Sequence, residues 1–314
     1  MISTIITIAI IIYFFLKAIP LIYTKYMVNS QNLKRKYNTE WVFITGGSSG
    51  LGKELAMKFA EQGMNLVILS RTKSKLEQAK NQILDRFPNI EIRIIAMDFG
   101  LPVEQIEEQL IPQISDIDVK ILINNIGYML IREFQKRKWE NIQSHINAHI
   151  TSAIKLSQII AQKLIQSNSK GAICFTSSMG CFYPIPYIPI YSGAKAYLQS
   201  FASTLAIELK PFGIDVHVVI PGPIPDTDFY DRTGLERNNP FFENPMSKFI
   251  NQNAKSVAKI YLKTIGSPFV VVDTSLFVIF SRILENFLSA NGLVWIALKS
   301  KTAQSFQIEK VRYD

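Results

Sequence analysis

The sequence predicts an α/β fold: one doubly wound parallel sheet of the Rossmann kind, carrying an N-terminal membrane helix and an apolar helical tail. Three observations predict it. Short, continuously apolar runs alternate with helical patterns between residues 40 and 222. One such run passes directly into the glycine turn Thr45-Gly46-Gly47-Ser48-Ser49-Gly50-Leu51-Gly52. Residues Ile2 to Leu16 carry no charge.

The N-terminal pattern stays apolar beyond Lys17 as far as Tyr23. At about 1.5 Å per residue this run just crosses a hydrocarbon core of about 30 Å. Lys17 can extend its ammonium toward the interface. Lys25, Lys34, Arg35 and Lys36 follow, so the positive-inside rule places the rest of the chain in the cytosol. A cleaved signal peptide is the rival, but a basic leading region and a small-residue cleavage site are lacking. The organisation expected is an anchor (1–26), a basic linker (27–39), the sheet domain (40–268) and an amphipathic C-terminal region (269–314).

Trp41 to Ile44 reads as a first strand and Lys53 to about Gln62 as the helix after its glycine turn. Glycines there let a pyrophosphate approach backbone N–H groups at the helix N-terminus, which makes Gly46, Ser48, Ser49, Gly50, Leu51 and Gly52 candidates for nucleotide binding. The spacing is G-x-x-x-G-x-G, not the commoner G-x-G-x-x-G, and a merely structural turn is the alternative. A second strand, Asn65 to Leu69, ends in Ser70-Arg71. An acidic residue at that point suits the ribose hydroxyls of NAD, whereas Arg71 suits a 2′-phosphate and favours NADPH/NADP. A third strand, Ile94 to Met97, leads into Asp98 at the adenine end; a fourth, from Ile121, leads into Asn124-Asn125-Ile126-Gly127. Ala172 to Thr176 and Val216 to Ile220 supply two more, the last followed by Pro221-Gly222.

Tyr191 and Lys195 stand four residues apart in Y-S-G-A-K, on one face of a helix, with Ser178 thirteen residues upstream. A tyrosine with a pKa of about 10 shuttles protons poorly at neutral pH. An ammonium at about 4 Å, with an effective dielectric of about 20, favours the phenolate by roughly 4 kcal/mol. Desolvation of the lysine takes part of that back. A tyrosine so tuned can protonate a carbonyl oxygen as hydride reaches the carbon. Alone, Y-x-x-x-K is as easily an incidental pair on a surface helix.

With the glycine turn, Asn124 to Gly127 and Ser178 beside it, the chain resembles the short-chain dehydrogenase/reductases over roughly Glu40 to Gly222. Within them it is most similar to very-long-chain 3-oxoacyl-CoA reductases and related 17β-hydroxysteroid dehydrogenases. That closer likeness is carried by Glu40-Trp41, Gly63-Met64, Ser70-Arg71-Thr72-Lys73, Ala96-Met97-Asp98-Phe99 and Tyr183 to Tyr191. The resemblance implies a tetrad of Asn147, Ser178, Tyr191 and Lys195. Tyr191 would be the acid in reduction, Ser178 would hydrogen-bond the carbonyl, Lys195 would bind the nicotinamide ribose, and Asn147 would hold a water leading from Lys195 to solvent. Asn125, Gly127, Pro221 and Gly222 would line the cofactor. Thr227 departs from the pattern, since relatives place the threonine that meets the carboxamide four residues past the Pro-Gly pair and Thr227 lies five past Gly222. The sequence also ends without the dilysine retrieval tail of some relatives, so an endoplasmic-reticulum location is inferred from the resemblance.

Phe229, Tyr230, Phe241 and Phe242 within 223–250 are expected to form a substrate lid, with a plain surface excursion as the alternative. From Phe269 to Leu298 the apolar pattern is broken by Asp273, Arg282, Glu285 and Asn291, so no second span is expected. That region should cover a substrate channel, lie on the bilayer surface, or simply pack on the domain. The net charge of +9 and pI near 9.4 come without a nucleic-acid motif; lipid headgroups or coenzyme A phosphates account for the sign. Cys174 and Cys181 imply no disulfide framework. His145 and His149 are spaced i, i+4 around Asn147 without a third metal ligand and read as helix histidines, so no metal site is expected. The function expected is NADPH-dependent reduction of the 3-oxo group of a long lipid chain, foremost a very-long-chain 3-oxoacyl-CoA. A 17-ketosteroid reductase, a 3-ketosphinganine reductase and a non-catalytic subunit of a membrane complex are the alternatives. A homodimer is compatible with either class.

Overall fold

The apolar runs become seven strands: β1 (Trp41–Thr45), β2 (Asn65–Ser70), β3 (Ile92–Ala96), β4 (Val119–Asn124), β5 (Gly171–Thr176), β6 (Ile214–Ile220) and β7 (Val271–Asp273). All six pairings are parallel, in the order β3-β2-β1-β4-β5-β6-β7. The computed structural model describes residues 2–29, 31–227, 229 and 250–299.

Because the strands are covered on both faces, their side chains are apolar without alternation, and β5 is buried at every position. One face packs against α3 (Gly50–Ala60), α4 (Lys73–Leu84) and a helix spanning Ala254–Thr264, through Leu55, Phe59, Leu76, Val257 and Tyr261. The other packs against α5 (Val103–Ile114), a helix at Ser152–Gln166 and one at Pro189–Leu209, through Leu110, Leu156, Ile160 and Leu198. Chain direction across the sheet reverses between β1 and β4. In such sheets the crevice outside the strands' carboxyl ends, at that reversal, is where ligands sit.

The terminal segments join this body more closely than expected. The first helix, α1 (Ile2–Ile22), continues through a π-turn at Tyr23–Met27. Its Ala18 and Leu21 are buried with Ile260, Val272 and Ile279. Residues 27–39, expected as a linker, contain the short helix α2 (Leu33–Tyr37), with Leu33 and Tyr37 buried. Tyr37 donates to Asp215 Oδ2 at 2.8 Å, and Lys36 to the Gly266 carbonyl at 2.8 Å. The basic residues hid an i, i+4 apolar pair that packs on the domain. Likewise the expected boundary at 268 falls just before β7, whose three residues are too few to leave a pattern in the sequence. His217 of β6 anchors the approach to it: Nδ1 bonds the Phe269 carbonyl at 2.9 Å and Nε2 accepts from Gly266 N–H at 2.8 Å.

After β7 the chain enters a final helix, Leu276–Lys299, broken at Ser289 (φ 58°, ψ 169°). Thr7–Met27 and Leu276–Ile296 are both long and apolar enough to cross a membrane, judged by length and composition. The break limits the second, since thirteen residues before Ser289 rise only about 20 Å. Arg282 also ties that first half to the sheet, donating to both Asp273 carboxylate oxygens at 2.8 and 2.7 Å with its guanidinium 4.6 Å from the Phe182 ring centroid. Removing one partner of a buried pair strands the other charge. Asp273→Ala is therefore expected to lower the unfolding free energy by about 3 kcal/mol in a denaturant titration, and an unchanged midpoint would contradict this packing.

Candidate active site

At the reversal lies a cleft of about 680 Å³. It runs from Ser70, Arg71 and Asp98 at one end, over the glycine turn, to Ser178, Tyr191 and Lys195 at the other. Gly46, Ser48, Ser49, Gly50, Leu51, Gly52, Asn125, Gly127, Pro221, Gly222 and Thr227 also line it. Of the site residues expected from the sequence, Asn147 alone is not in its wall.

The turn is compact because glycine is required. Gly46 and Gly50 have φ of +70° and +52°, and a Cβ on Gly52 would stand 2.0 Å from the Gly46 carbonyl oxygen. Helix α3 then begins with no side-chain cap on its first N–H groups, which border the cleft. Free N–H groups at a helix N-terminus suit a phosphate. Thr45 sews β1 to β4 beneath them: its hydroxyl donates to Ile123 O at 3.2 Å and accepts from the N–H groups of Asn125 (2.9 Å) and Ile126 (3.2 Å). Arg71 Nη1 lies 3.7 Å from Asp98 Oδ2, and its guanidinium lies 5.6 Å from the Tyr128 ring centroid. Both charged side chains are about half exposed. Such a pair holds only weakly and leaves the arginine available to an anion.

At the far end, α8 (Pro189–Leu209) carries Tyr191 and Lys195 on its buried face. Lys195 is 2% exposed, donates to the Thr176 carbonyl at 2.8 Å and stands 5.7 Å from the Tyr191 ring centroid. Burial lowers its pKa to about 8, so the ammonium still predominates at neutral pH. Gly127 leaves room for it, since a Cβ there would sit 3.3 Å from Nζ. Ser178 starts the 3₁₀ turn Met179–Cys181, its Oγ accepting from Gly180 N–H at 3.1 Å. A Cβ on Gly180 would be 3.4 Å from Tyr191 Cε1 and 3.5 Å from Ser178 Oγ, so hydroxyl and phenol border one small space. Met129, Ile188 and Tyr191 form an apolar cluster with Ile131 and Phe229 packed on it. Phe229 is thus the part of the expected lid seen at the site; Tyr230, Phe241 and Phe242 lie outside the described residues.

Asn147 is placed elsewhere. It opens the π-turn Asn147–Thr151 between α6 (Trp139–Ile146) and α7 (Ser152–Gln166). Its amide donates to the Gly100 carbonyl at 3.2 Å, and its own carbonyl accepts from Ser152 N–H. The wider turn changes which side chains face inward: Ala148 lines the cleft, and His149 stands behind it, 1% exposed. His149 Nε2 accepts from Tyr128 N–H at 3.1 Å, and its ring meets that of Tyr191 edge-on at 5.7 Å. Sequence reasoning read His149 only as a helix histidine and gave no site role to Thr45, Thr176 or Tyr128. For His149 the usable signal was its i, i+4 spacing from His145 on the apolar face of the same helix. Thr227 lines the cleft, its hydroxyl donating to Ile224 O at 2.8 Å and its methyl lying against the position of a Gly50 Cβ.

The sequence profile described as short chain dehydrogenase matches residues 40–237. The chain belongs to the short-chain dehydrogenase family. As a member it is similar to proteins named very-long-chain 3-oxoacyl-CoA reductase, 35% identical in Podospora anserina over 65% of this chain and 61% of that one. The namesake from Neurospora crassa is also 35% identical, over 64% and 61%. The match thus spans about three-fifths of those relatives' own length. Among solved structures, a 7beta-hydroxysteroid dehydrogenase superposes with a TM-score of 0.74 at 21% identity, over 85% of this chain and all of that one. A short-chain dehydrogenase from Sphingobium yanoikuyae in complex with NADPH gives 0.65 at 23%, over 87% and 98%. These share the fold.

The three histidines of this dehydrogenase-family chain make its stability pH-dependent. Burial keeps His145 and His217 neutral with pKa values lowered to about 4, and holds His149 well below its ordinary value. Unfolding returns each to about 6.5. Between those values the unfolded chain binds more protons, so stability falls as pH drops, by at most about 1.4 kcal/mol per unit for each group. Thermal melts from pH 7 to pH 5 should show a falling Tm, and His217→Gln should flatten the slope. A Tm indifferent to pH across that window would remove the neutral-imidazole assignment.

Proposed function

We propose that this protein is an NADPH-dependent reductase of the 3-oxo group of a long-chain lipid, acting on a very-long-chain 3-oxoacyl-CoA to form the 3-hydroxyacyl-CoA of fatty-acid elongation. The observation that carries the reading is a buried ammonium, Lys195, one turn from Tyr191 at the end of a cleft that also passes a bare helix N-terminus.

The residues present fit a dinucleotide. The N–H groups of the Gly46–Gly52 turn would receive the pyrophosphate, Asp98 would meet the adenine end, and Asn125, Gly127, Pro221 and Gly222, which line the same cleft, would hold the nicotinamide end. Arg71, with Ser70, Thr72 and Lys75 around it, supports a 2′-phosphate. The bound nicotinamide supplies hydride; the protein supplies position and charge. Ser178 Oγ donates to the substrate carbonyl oxygen and stabilises the charge that develops there. Tyr191 gives that oxygen its proton, and Lys195 stabilises the phenolate left behind. Asn147 contributes by holding the turn at Gly100, close to Asp98. Thr227 closes the cleft over Gly50.

The walls support the substrate class. Met129, Ile131, Ile188 and Phe229 surround Tyr191 with apolar surface, as a lipid chain needs. The names of the matching relatives point to an acyl-CoA. We place the chain in the endoplasmic-reticulum membrane through α1, with the sheet domain facing the cytosol, on the strength of its apolar length and the basic residues after it. The domain organisation is then an anchor (1–26), a packed basic segment (27–39), the sheet domain including β7, and a C-terminal helix lying along it.

With detergent-solubilised full-length protein, NADPH oxidation is expected with long 3-oxoacyl-CoAs and weaker or absent with an oestrone-like ketone or 3-ketosphinganine. Tyr191→Phe should cost at least about a thousandfold in kcat while NADPH affinity stays nearly constant; wild-type turnover in that variant would overturn the assignment. Arg71→Asp should move the NADPH/NADH preference toward NADH by about tenfold or more, and an unaltered ratio would remove Arg71 from phosphate recognition.

A further inference from the structure

Tyr128, half-buried in the cleft wall, forms one group of rings with His145 and His149 buried behind it. Tyr128 stacks on His145 at 4.7 Å, His145 meets His149 at 4.4 Å, and His149 meets Tyr191 at 5.7 Å. His149 Nδ1 and both His145 ring nitrogens are buried with no hydrogen-bond partner among the described residues. Unpaired polar atoms in a core are costly, so their retention beside Lys195 asks for a reason. From outside this helix His149 is faced by Lys195 and Tyr191 of α8 and by Tyr128 of the turn after β4; on its own helix it is faced by His145. Lys195 is the cation that acts on it directly, and Arg137 acts on His145 behind it.

We infer that His149 is a positioning residue for the Tyr191–Lys195 pair: its imidazole keeps water from that pair and pins the Gly127–Tyr128 turn above the ammonium. Two contacts carry the two parts. The edge-on ring fills the space beside Tyr191, and Gly127 marks how near it comes to the ammonium, since a Cβ there would lie 3.6 Å from His149 Cε1 and 3.3 Å from Lys195 Nζ. The Tyr128 N–H to Nε2 bond fixes the turn and puts the ring proton on Nδ1. A neutral ring suits this place, because a second positive charge would compete with Lys195. The inference rests on Tyr191 being the acid of the proposed reaction.

Its test needs no turnover. The Tyr191 phenol is titrated by ultraviolet difference absorbance in the full-length protein, with the Tyr191→Phe trace subtracted, and NADPH affinity is measured by fluorescence. His149→Asn opens the wall to water, screens the ammonium, and is expected to raise the Tyr191 midpoint by about one pH unit. His149→Phe keeps the wall but loses the acceptor; it should leave that midpoint in place and weaken NADPH binding about fivefold. His149→Gln, closer in volume, should repeat the Asn result at smaller amplitude and guards against loss of the fold. If melts shift in all three variants while midpoint and affinity stay at parent values, His149 is only a core residue and the inference is overturned. A parent protein without reductase activity would sink the proposed function and leave these readouts intact.

Discussion

The ammonium of Lys195, held almost out of water, is the constraint around which the site is arranged. A buried charge is tolerated only where acceptors and shape are provided for it. β5 ends so that the Thr176 carbonyl reaches Nζ, and Ser177 Oγ donates to the Lys195 main-chain carbonyl at 2.7 Å, locking loop to helix. Gly127 withholds a side chain at the one point where it would crowd Nζ. Tyr191, a turn earlier on α8, inherits its field. Three segments far apart in the chain are therefore positioned by one charge. Without it the tyrosine would be an ordinary half-apolar core residue.

The other end of the cleft works through backbone. The order of the strands leaves a crevice between β1 and β4, and the Thr45 hydroxyl closes the strand ends beneath it with three hydrogen bonds. The uncapped start of α3 supplies dipole and donors without any charged side chain. Charge is added only at the rim, where Arg71 is loosely held by Asp98. One end thus buries its charge and the other is lined by backbone donors with charge only at its rim.

The apolar terminal helices share a core with the sheet. Ala18 and Leu21 of α1 pack with Val272 of β7 and Ile279 of the final helix, and Asn286 donates to Tyr13 Oη at 3.1 Å. Phe277, at the start of that final helix, lines the cleft, while Leu276, Phe280 and Phe287 are exposed. One element thus borders the cleft and presents apolar surface outward.

What the sequence by itself determined was local and periodic: six strands read from apolar runs, the glycine turn, the i, i+4 pairing of Tyr191 with Lys195, and the cation after β2. Each is set by neighbours within a turn or a strand, so spacing reports it. Only the tertiary structure decided what depended on distant partners. Asn147 binds a carbonyl 47 positions away and is not in the cleft wall, where the π-turn sets Ala148, with His149 buried behind it. Thr227 spends its hydroxyl on Ile224, β7 forms only because β6 offers an edge, and Tyr37 of the supposed linker finds Asp215. Side-chain direction around a widened turn and hydrogen bonds across long loops leave no periodic mark, because packing chooses them after the local elements exist.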